Sequence, residues 1–401
     1  MARLALLFGS FRGGGVGTSF LALAEELLGR GHQVDLVVGK AKGDLAERVP
    51  TAARIVPLAR AEGWRTSLLI ARADPALVPT LLAGLVKAPS GKLRHLPALR
   101  RYLARERPDG LIAATAPFNL IAFWARRLAD HTCPLVLSEH NRFALPEGGW
   151  RYDCPPALAR RAYAEAEALT AVSDGIAVEM AAYAGLPRAR VTTVYNPVAG
   201  PHIARAAAQP VAHPWLQQGQ PPVVLGVGML KPQKDFATLI HAFARLRAER
   251  PARLVILGDA RGEAKDQAYR DELKALPEQL GIAEDVTFPG FVANPFAWMA
   301  KARCFVLSSR WEGLGNVVIE ALACGCPVVS TDCPSGPAEI LDGGRCGRLV
   351  PVGDAGAMAA AIAATLDEPP DKDALIARSE LFSRAAAAER YLALLSARAR
   401  Y

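Results

Sequence analysis

Two doubly wound α/β domains, one after the other, are the fold this sequence predicts, and three observations predict it. Short β-branched or leucine-rich runs alternate with helical patterns along almost the whole chain, as they do where parallel sheets are covered by helices. The alternation breaks once, in the proline-rich "NPVAGPHIARAAAQPVAHPWLQQGQPP" of residues 196–222. At 401 residues the chain is too long for one ordinary core and suits two of roughly 150–200 residues. The expected division is a first domain over 1–200, a linker over 201–222, a second domain over 223–375, and a helical segment over 376–401 that could pack across both.

The first strand, at 4–8, runs into "FRGGGVGTSF". A glycine-rich turn between an apolar strand and a helix lets backbone N–H groups approach a phosphate, where the helix dipole also favours negative charge. This is not a Walker loop, because Arg12 and Thr18 stand where Gly and Lys are needed. Nor is it a dinucleotide fingerprint, which needs a third glycine at Thr18 and an acidic residue closing the next strand; Asp35 lies inside that strand. Close helix–strand packing is the other use of such a turn. Further strands are expected at 34–38, 55–58, 111–114, 135–138, 169–172 and 191–195. Beyond the proline-rich stretch come "VVLGVG", "LVILGD", "VTFPG", "CFVLSS", "PVVST" and "GRLVPV", each except the last followed by a helical segment. Two such domains imply a cleft lined by loops from the carboxyl ends of both sets of strands.

Composition narrows the function. With 51% hydrophobic and only 7% aromatic residues, both cores should be aliphatic. No apolar run reaches the roughly 20 residues of a membrane span, and "LALLF" is too short for a signal-peptide core, so a cytoplasmic protein is expected. Seven cysteines without a CxxC pair suggest reduced thiols. The net charge of +8 belongs to the first half: residues 1–200 hold 25 Lys/Arg against 17 Asp/Glu, and the remainder 22 against 22. Seven of those cations fall in "KAPSGKLRHLPALRRYLARER", residues 87–107, with Leu96, Leu99 and Leu103 at helical spacing. Such a segment can lie on the anionic inner face of a membrane through Arg94, Arg100, Arg101 and Arg105, or turn its leucines to a core and solvate its basic face. Few aromatics and no recognisable binding motif speak against nucleic acid.

The densest signal is "SSRWEGLGNVVIEALACGCPVVSTDCPSGPAEIL", residues 308–341. A buried strand ends at Ser308, the loop "RWEGLGN" follows, and a helix opens near Asn316, so Glu312 sits at the strand's carboxyl end and Glu320 in the helix's first or second turn. Two carboxylates with free helix-terminal amides between them can hold ligand hydroxyls while the amides face a negative group.

Here the chain resembles a known family. Glu312-x7-Glu320 with the following "ALACGCPVVSTDCPSGPAEIL" is similar to the donor-site signature of retaining, nucleotide-sugar-dependent glycosyltransferases of family GT4, which have the GT-B fold of two Rossmann-like domains. "FRGGGVGTSFLALAEELLGRGHQVDLVV", "LSEHN", "AVSDGIAVEMAAYAGLPRARVTTVYNPV", "GVGMLKPQKDF" and "FPGFVANP" resemble further family segments in the family's order. The resemblance implies that Lys234 meets the donor diphosphate, Glu320 the ribose hydroxyls, and Glu312 the donor sugar. It implies that the backbone of Gly313, Leu314, Gly315 and Asn316 approaches sugar and phosphate, that groups near Val292 read the base, and that His140 touches the transferred sugar. Gly14 and Gly15 would face the cleft and leave room for diphosphate or acceptor.

One departure stands out: Met229 occupies the place of a family Arg that shares the diphosphate with the lysine, and Lys231, two residues on, could substitute for it. The implied mechanism is electrostatic, with cations and amides stabilising a departing dianion beside an oxocarbenium-like centre. No Asp-x-Asp on a strand end and no spaced histidine set point to a metal, so none is expected, nor any cofactor beyond the nucleotide sugar as substrate. The version of the motif here resembles bacterial enzymes of surface or lipid-linked glycan assembly, which implies a UDP-hexose or UDP-N-acetylhexosamine donor, with GDP-sugars open, and a glycan or lipid-linked acceptor. A nucleotide-sugar-binding module without turnover and a GT-B sugar-nucleotide epimerase are the alternatives.

Overall fold

The computed structural model describes residues 1–12, 14–79, 91–131, 133–143, 156–260 and 264–397. The chain divides into two compact units, Met1–Pro197 together with Arg384–Tyr401, and Val198–Ser383.

The first unit is built on seven strands: β1 (Arg3–Ser10), β2 (Gln33–Lys40), β3 (Arg54–Pro57), β4 (Gly110–Ala114), β5 (Leu135–Glu139), β6 (Ala168–Ala171) and β7 (Val191–Thr193). They lie all parallel in the order β3-β2-β1-β4-β5-β6-β7. Helices cover both faces, so the central strands read as unbroken apolar runs; all five residues of β4 and of β5 are buried. The chain winds outward from β1 to β3 and then returns to β4 beside β1. Loops at the carboxyl ends of β1 and β4 therefore diverge, and a crevice opens there. Helix α1 (Gly15–Gly29) leaves β1 through the glycine turn. A Cβ on Gly17 would stand 2.9 Å from the Leu45 side chain and 3.1 Å from the Arg12 carbonyl, so close packing is one use of that turn. Asp35 sits inside β2 as a structural group: it accepts two bonds from Arg54, at 2.8 and 2.6 Å, and one from the Tyr102 hydroxyl at 2.6 Å.

Helix α2 (Leu96–Glu106) carries most of the described part of the basic segment; residues 87–90 lie outside the described residues. Leu96, Leu99, Tyr102 and Leu103 are buried, so the leucine stripe faces the core. Arg94 donates to the Ala61 carbonyl at 2.6 Å, Arg100 to that of Leu128 at 3.0 Å, and Arg105 pairs with Glu106. Two of the four arginines expected on a membrane, Arg94 and Arg100, thus bond carbonyls of neighbouring segments, while Arg105 pairs within its own helix. Among the described residues no helix is long and apolar enough to cross a membrane.

The second unit has β8 (Val223–Val227), β9 (Arg253–Leu257), β10 (Val286–Gly290), β11 (Cys304–Leu307), β12 (Val328–Thr331) and β13 (Arg348–Val350), parallel in the order β10-β9-β8-β11-β12-β13. Its core joins Val224, Leu254, Ile256 and Val306 to Leu239, Phe243 and Leu246 of helix α3 (Phe236–Glu249).

Two expected boundaries are corrected. Residues 201–222 are no linker: they belong to the second unit and fold, with a helix at Pro201–Ala207 that buries Ile203 and a 3-10 turn at Pro214–Leu216. Pro201 and Pro214 open these turns, where a missing N–H costs nothing, so proline richness misread as linker was helix initiation. The last segment is likewise divided, since residues up to Ser383 complete the second unit, and helix α4 (Arg384–Ser396) belongs to the first. Ala388, Tyr391 and Leu395 of α4 enter the same core as Leu4, Leu6 and Val34. The six described cysteines are free, with Cys304, Cys324 and Cys333 pushed up to about 12 by burial.

Candidate active site

In the second unit, polar groups collect at the carboxyl ends of β8, β11 and β12. The loop after β8 carries Met229 and reaches the 3-10 turn Pro232–Lys234, whose first flanking residue is Lys231. The loop after β11 carries Glu312. The Lys234 Nζ donates to Glu312 Oε1 at 2.6 Å, and the Ser309 hydroxyl donates to the same oxygen, also at 2.6 Å. Glu312 is only 8% exposed, so this carboxylate is fixed before any ligand arrives.

Backbone groups hold the two loops together. The Arg310 N–H donates to the Gln233 carbonyl at 2.9 Å, the Gln233 amide to the Trp311 carbonyl at 2.7 Å, and the Ser308 hydroxyl to the Lys234 carbonyl at 2.8 Å. From β12 the Thr331 hydroxyl donates to the Ser309 carbonyl at 2.6 Å. Gly336 lies over the same loop with φ of +99°, and a Cβ there would fall 1.9 Å from the Leu314 carbonyl oxygen. These supporting groups escaped the sequence reading, because they act mostly through the backbone.

Gly315, at φ +95°, turns the chain into helix α5 (Asn316–Ala323). Its first turn carries no acidic side chain, and its N-cap residue, a glycine, offers no capping side chain. Glu320 lies half-buried on this helix, and Val292 half-buried in the loop after β10. The structure thus joins Lys234 to Glu312 directly and sets the 313–316 loop and Glu320 on the same strand–loop–helix connection. Among the described residues no three His, Cys, Asp or Glu gather as a metal site.

His140, Gly14 and Gly15 belong to the first unit. His140 follows β5, is buried, and has its Nε2 3.1 Å from the Ser138 hydroxyl, which is itself 3.1 Å from the Tyr391 hydroxyl of α4. The Phe20 ring lies 5.6 Å away, edge-on. Burial pushes the imidazole down to about 4, against a smaller opposing pull from Asn196. The folded ring is therefore neutral near pH 7, whereas an unfolded histidine takes up its proton near 6.5. Between these values the unfolded chain binds the extra proton, so stability falls as the pH drops from 6.5 toward 4, by about 3 kcal/mol in full. Urea unfolding of wild type and His140→Asn at pH 7 and pH 4.5 measures this component. The difference between them should shift by about 2 kcal/mol in the wild type's disfavour, and a constant difference would show a solvated ring.

Comparison with known proteins agrees with this arrangement. A family model described as Glycosyltransferase Family 4 matches residues 13–199, and one described as Glycosyl transferases group 1 matches residues 221–368, so together they take in most of the chain. Among curated relatives, the Campylobacter jejuni N-acetylgalactosamine-N,N'-diacetylbacillosaminyl-diphospho-undecaprenol 4-alpha-N-acetylgalactosaminyltransferase is 42% identical over 34% of this chain and 34% of its own. The Rhizobium meliloti lipopolysaccharide core biosynthesis glycosyltransferase LpsE is 37% identical over 44% of this chain and 50% of its own. The chain thus matches from a third to half of the length of these relatives. Among solved structures, Anabaena HepE in complex with UDP and glucose is 20% identical with a TM-score of 0.72, over 99% of this chain and 100% of that one. Sucrose-phosphate synthase from Thermosynechococcus elongatus is 20% identical with a TM-score of 0.74, over the same shares. With two parallel sheets of the GT-B fold and both family models matched in order, the chain belongs to the group 1, family 4 glycosyltransferases.

Proposed function

We propose that this protein transfers a sugar from a nucleotide-sugar donor to a glycan or lipid-linked acceptor, with retention of anomeric configuration, and that the donor is a UDP-hexose or UDP-N-acetylhexosamine. The observation that carries the reading is the Lys234–Glu312 pair at 2.6 Å, set at the ends of β8 and β11 beside the uncapped start of α5. Cation, carboxylate and amides are what departure of a nucleoside diphosphate from an anomeric carbon requires. The names of the relatives support the acceptor class, and the UDP held by HepE supports the base.

In this reading Lys234, Lys231 and the 313–316 amides take the charge that develops on the diphosphate as the glycosidic bond lengthens. Glu312 faces the positive sugar centre and its hydroxyls, Glu320 accepts from the ribose, and backbone near Val292 contacts the base. His140, neutral at working pH, offers its ring to the transferred sugar without adding a competing positive charge. The charge work falls on the chain's own groups, so the reaction needs no metal and no further cofactor. We place it in the cytoplasm, at the inner membrane face where the acceptor is lipid-linked.

Glu320→Gln replaces a charge-assisted pair of hydrogen bonds by neutral ones, and should weaken UDP binding by about 1–2 kcal/mol in calorimetric titration. Unchanged affinity would remove Glu320 from the nucleotide site. Turnover is tested by chromatographic release of UDP from UDP-glucose and UDP-N-acetylglucosamine in the presence of polyprenyl-linked and free glycans. Binding without release on any acceptor would favour the non-catalytic module, for which Met229 in place of a second cation is the supporting feature. No affinity for either UDP or GDP would overturn both.

A further inference from the structure

The first unit holds a cavity of about 440 Å³ at the carboxyl ends of β1 to β4. Four cations line it from four different segments: Arg12 after β1, Lys40 at the end of β2, Arg60 after β3, and Lys92 ahead of α2. No Asp or Glu is among its lining residues. Elsewhere in this unit arginines meet carboxylates: Arg54 pairs with Asp35, Arg126 with Glu167, and Arg142 with Glu179. Arg12, Lys40, Arg60 and Lys92 form no such pair with any described carboxylate. The first turn of α1 opens into the same space through Gly14, Gly15 and Val16, without a capping side chain or an acidic residue. A Cβ on Gly14 or Gly15 would meet nothing within 4 Å, so the side of this turn that faces the cavity is open space.

Four like charges around one opening repel one another, and a helix start adds further positive potential. A neutral sugar would leave that repulsion in place, whereas an anion removes it. We propose that this cavity seats a phosphoryl or diphosphoryl group of the acceptor, so that the acceptor is a phosphorylated sugar or a lipid diphosphate rather than a neutral glycan. This rests on the glycosyltransferase reading for the word acceptor, and on the cavity alone for the anion. The cations of the second unit's own site, Lys231 and Lys234, are already assigned to the donor diphosphate.

The test uses the full chain with UDP in excess, so that the donor site is filled. Acetylation of Lys40 and Lys92 is followed by mass spectrometry, with exposed Lys274 of the second unit as internal reference. The probes are inorganic pyrophosphate, glucose 1-phosphate, farnesyl diphosphate and neutral glucose. The expected result is at least fivefold slower labelling of Lys40 and Lys92, but not Lys274, with the anions, and no effect of glucose. Arg12→Ser/Arg60→Ser, folded by its thermal melt, should lose that protection. Protection by farnesyl diphosphate at lower concentration than pyrophosphate identifies a lipid diphosphate; tighter protection by glucose 1-phosphate identifies a soluble sugar phosphate. Equal labelling with and without all three anions overturns the inference even where UDP binds. Protection in a protein that fails to bind UDP overturns the donor reading and leaves the anion site standing.

Discussion

Lys234→Ala is expected to slow sugar transfer by roughly 100- to 1,000-fold, the range seen when one preorganised donor to a developing negative charge is removed. The leaving diphosphate would depart without the cation that the structure holds 2.6 Å from Glu312. A second loss accompanies the first. Glu312 is nearly buried and shares a single oxygen between Lys234 and Ser309, so truncating the lysine removes the cation from a buried carboxylate and leaves the Ser309 hydroxyl on that oxygen. That costs roughly 1–3 kcal/mol of stability. Lys234→Met/Glu312→Gln separates the two effects: removing both charges should restore the melting temperature while transfer stays slow. Initial rates with the donor identified by UDP release, together with thermal melts, check both halves. A rate within tenfold of wild type in Lys234→Ala would show that the lysine serves the fold and not the reaction.

Gly336→Ala is expected to lower stability by about 3 kcal/mol, or roughly 6–12 °C in melting temperature, and to abolish measurable UDP binding. Two separate penalties meet at this residue. Its φ of +99° disfavours any L side chain, and the added methyl would overlap the Leu314 carbonyl, with that residue's backbone carbons 2.5 Å away. Backbone cannot swing aside as a flexible side chain can, so the loop carrying Gly313, Leu314 and Gly315 must move. Gly343→Ala is the control, because it shares the left-handed conformation at φ +63° but has nothing within 4 Å of the new methyl. It should cost about 1 kcal/mol and leave UDP binding intact. Equal losses from the two substitutions would mean that conformation alone, and not the approach to Leu314, governs the site.

All thirteen strands of the two sheets were legible in the sequence: the central ones because a parallel strand covered on both faces reads as an apolar run, and the less buried β3, β7, β10 and β13 through their place in the alternation with helices. The donor-type loop was legible only through resemblance. Lys234 and Glu312 stand far apart along the chain, and no periodicity predicts that their side chains touch. Ser309, Thr331 and Gly336 left no trace, since a serine, a threonine and a glycine near a strand end are common and their work is done on neighbouring backbone. The stretch 201–222 read as a linker because proline richness marks a break in pattern but not the core that a segment joins. The cationic cavity was hidden differently. Its four residues follow separate strands or precede a helix, and they converge only once the order β3-β2-β1-β4 is known. The signal available was a basic residue at or just past the end of each of the first three strands. The run at 87–107 is more conspicuous in the sequence, yet Arg94 and Arg100 of that run bind carbonyls.

Helix α4 has a consequence for synthesis. Its Tyr391 and Leu395 fill the same core as Leu4 and Leu6, yet the ribosome makes them only after every residue of the second unit. The nascent first unit therefore waits with an open apolar groove beside β1 and β4, and Gly110 waits for the Leu395 side chain that its missing methyl accommodates. Vectorial folding, in which the leading domain is finished before the next begins, is closed to this chain. The half made first is the half completed last.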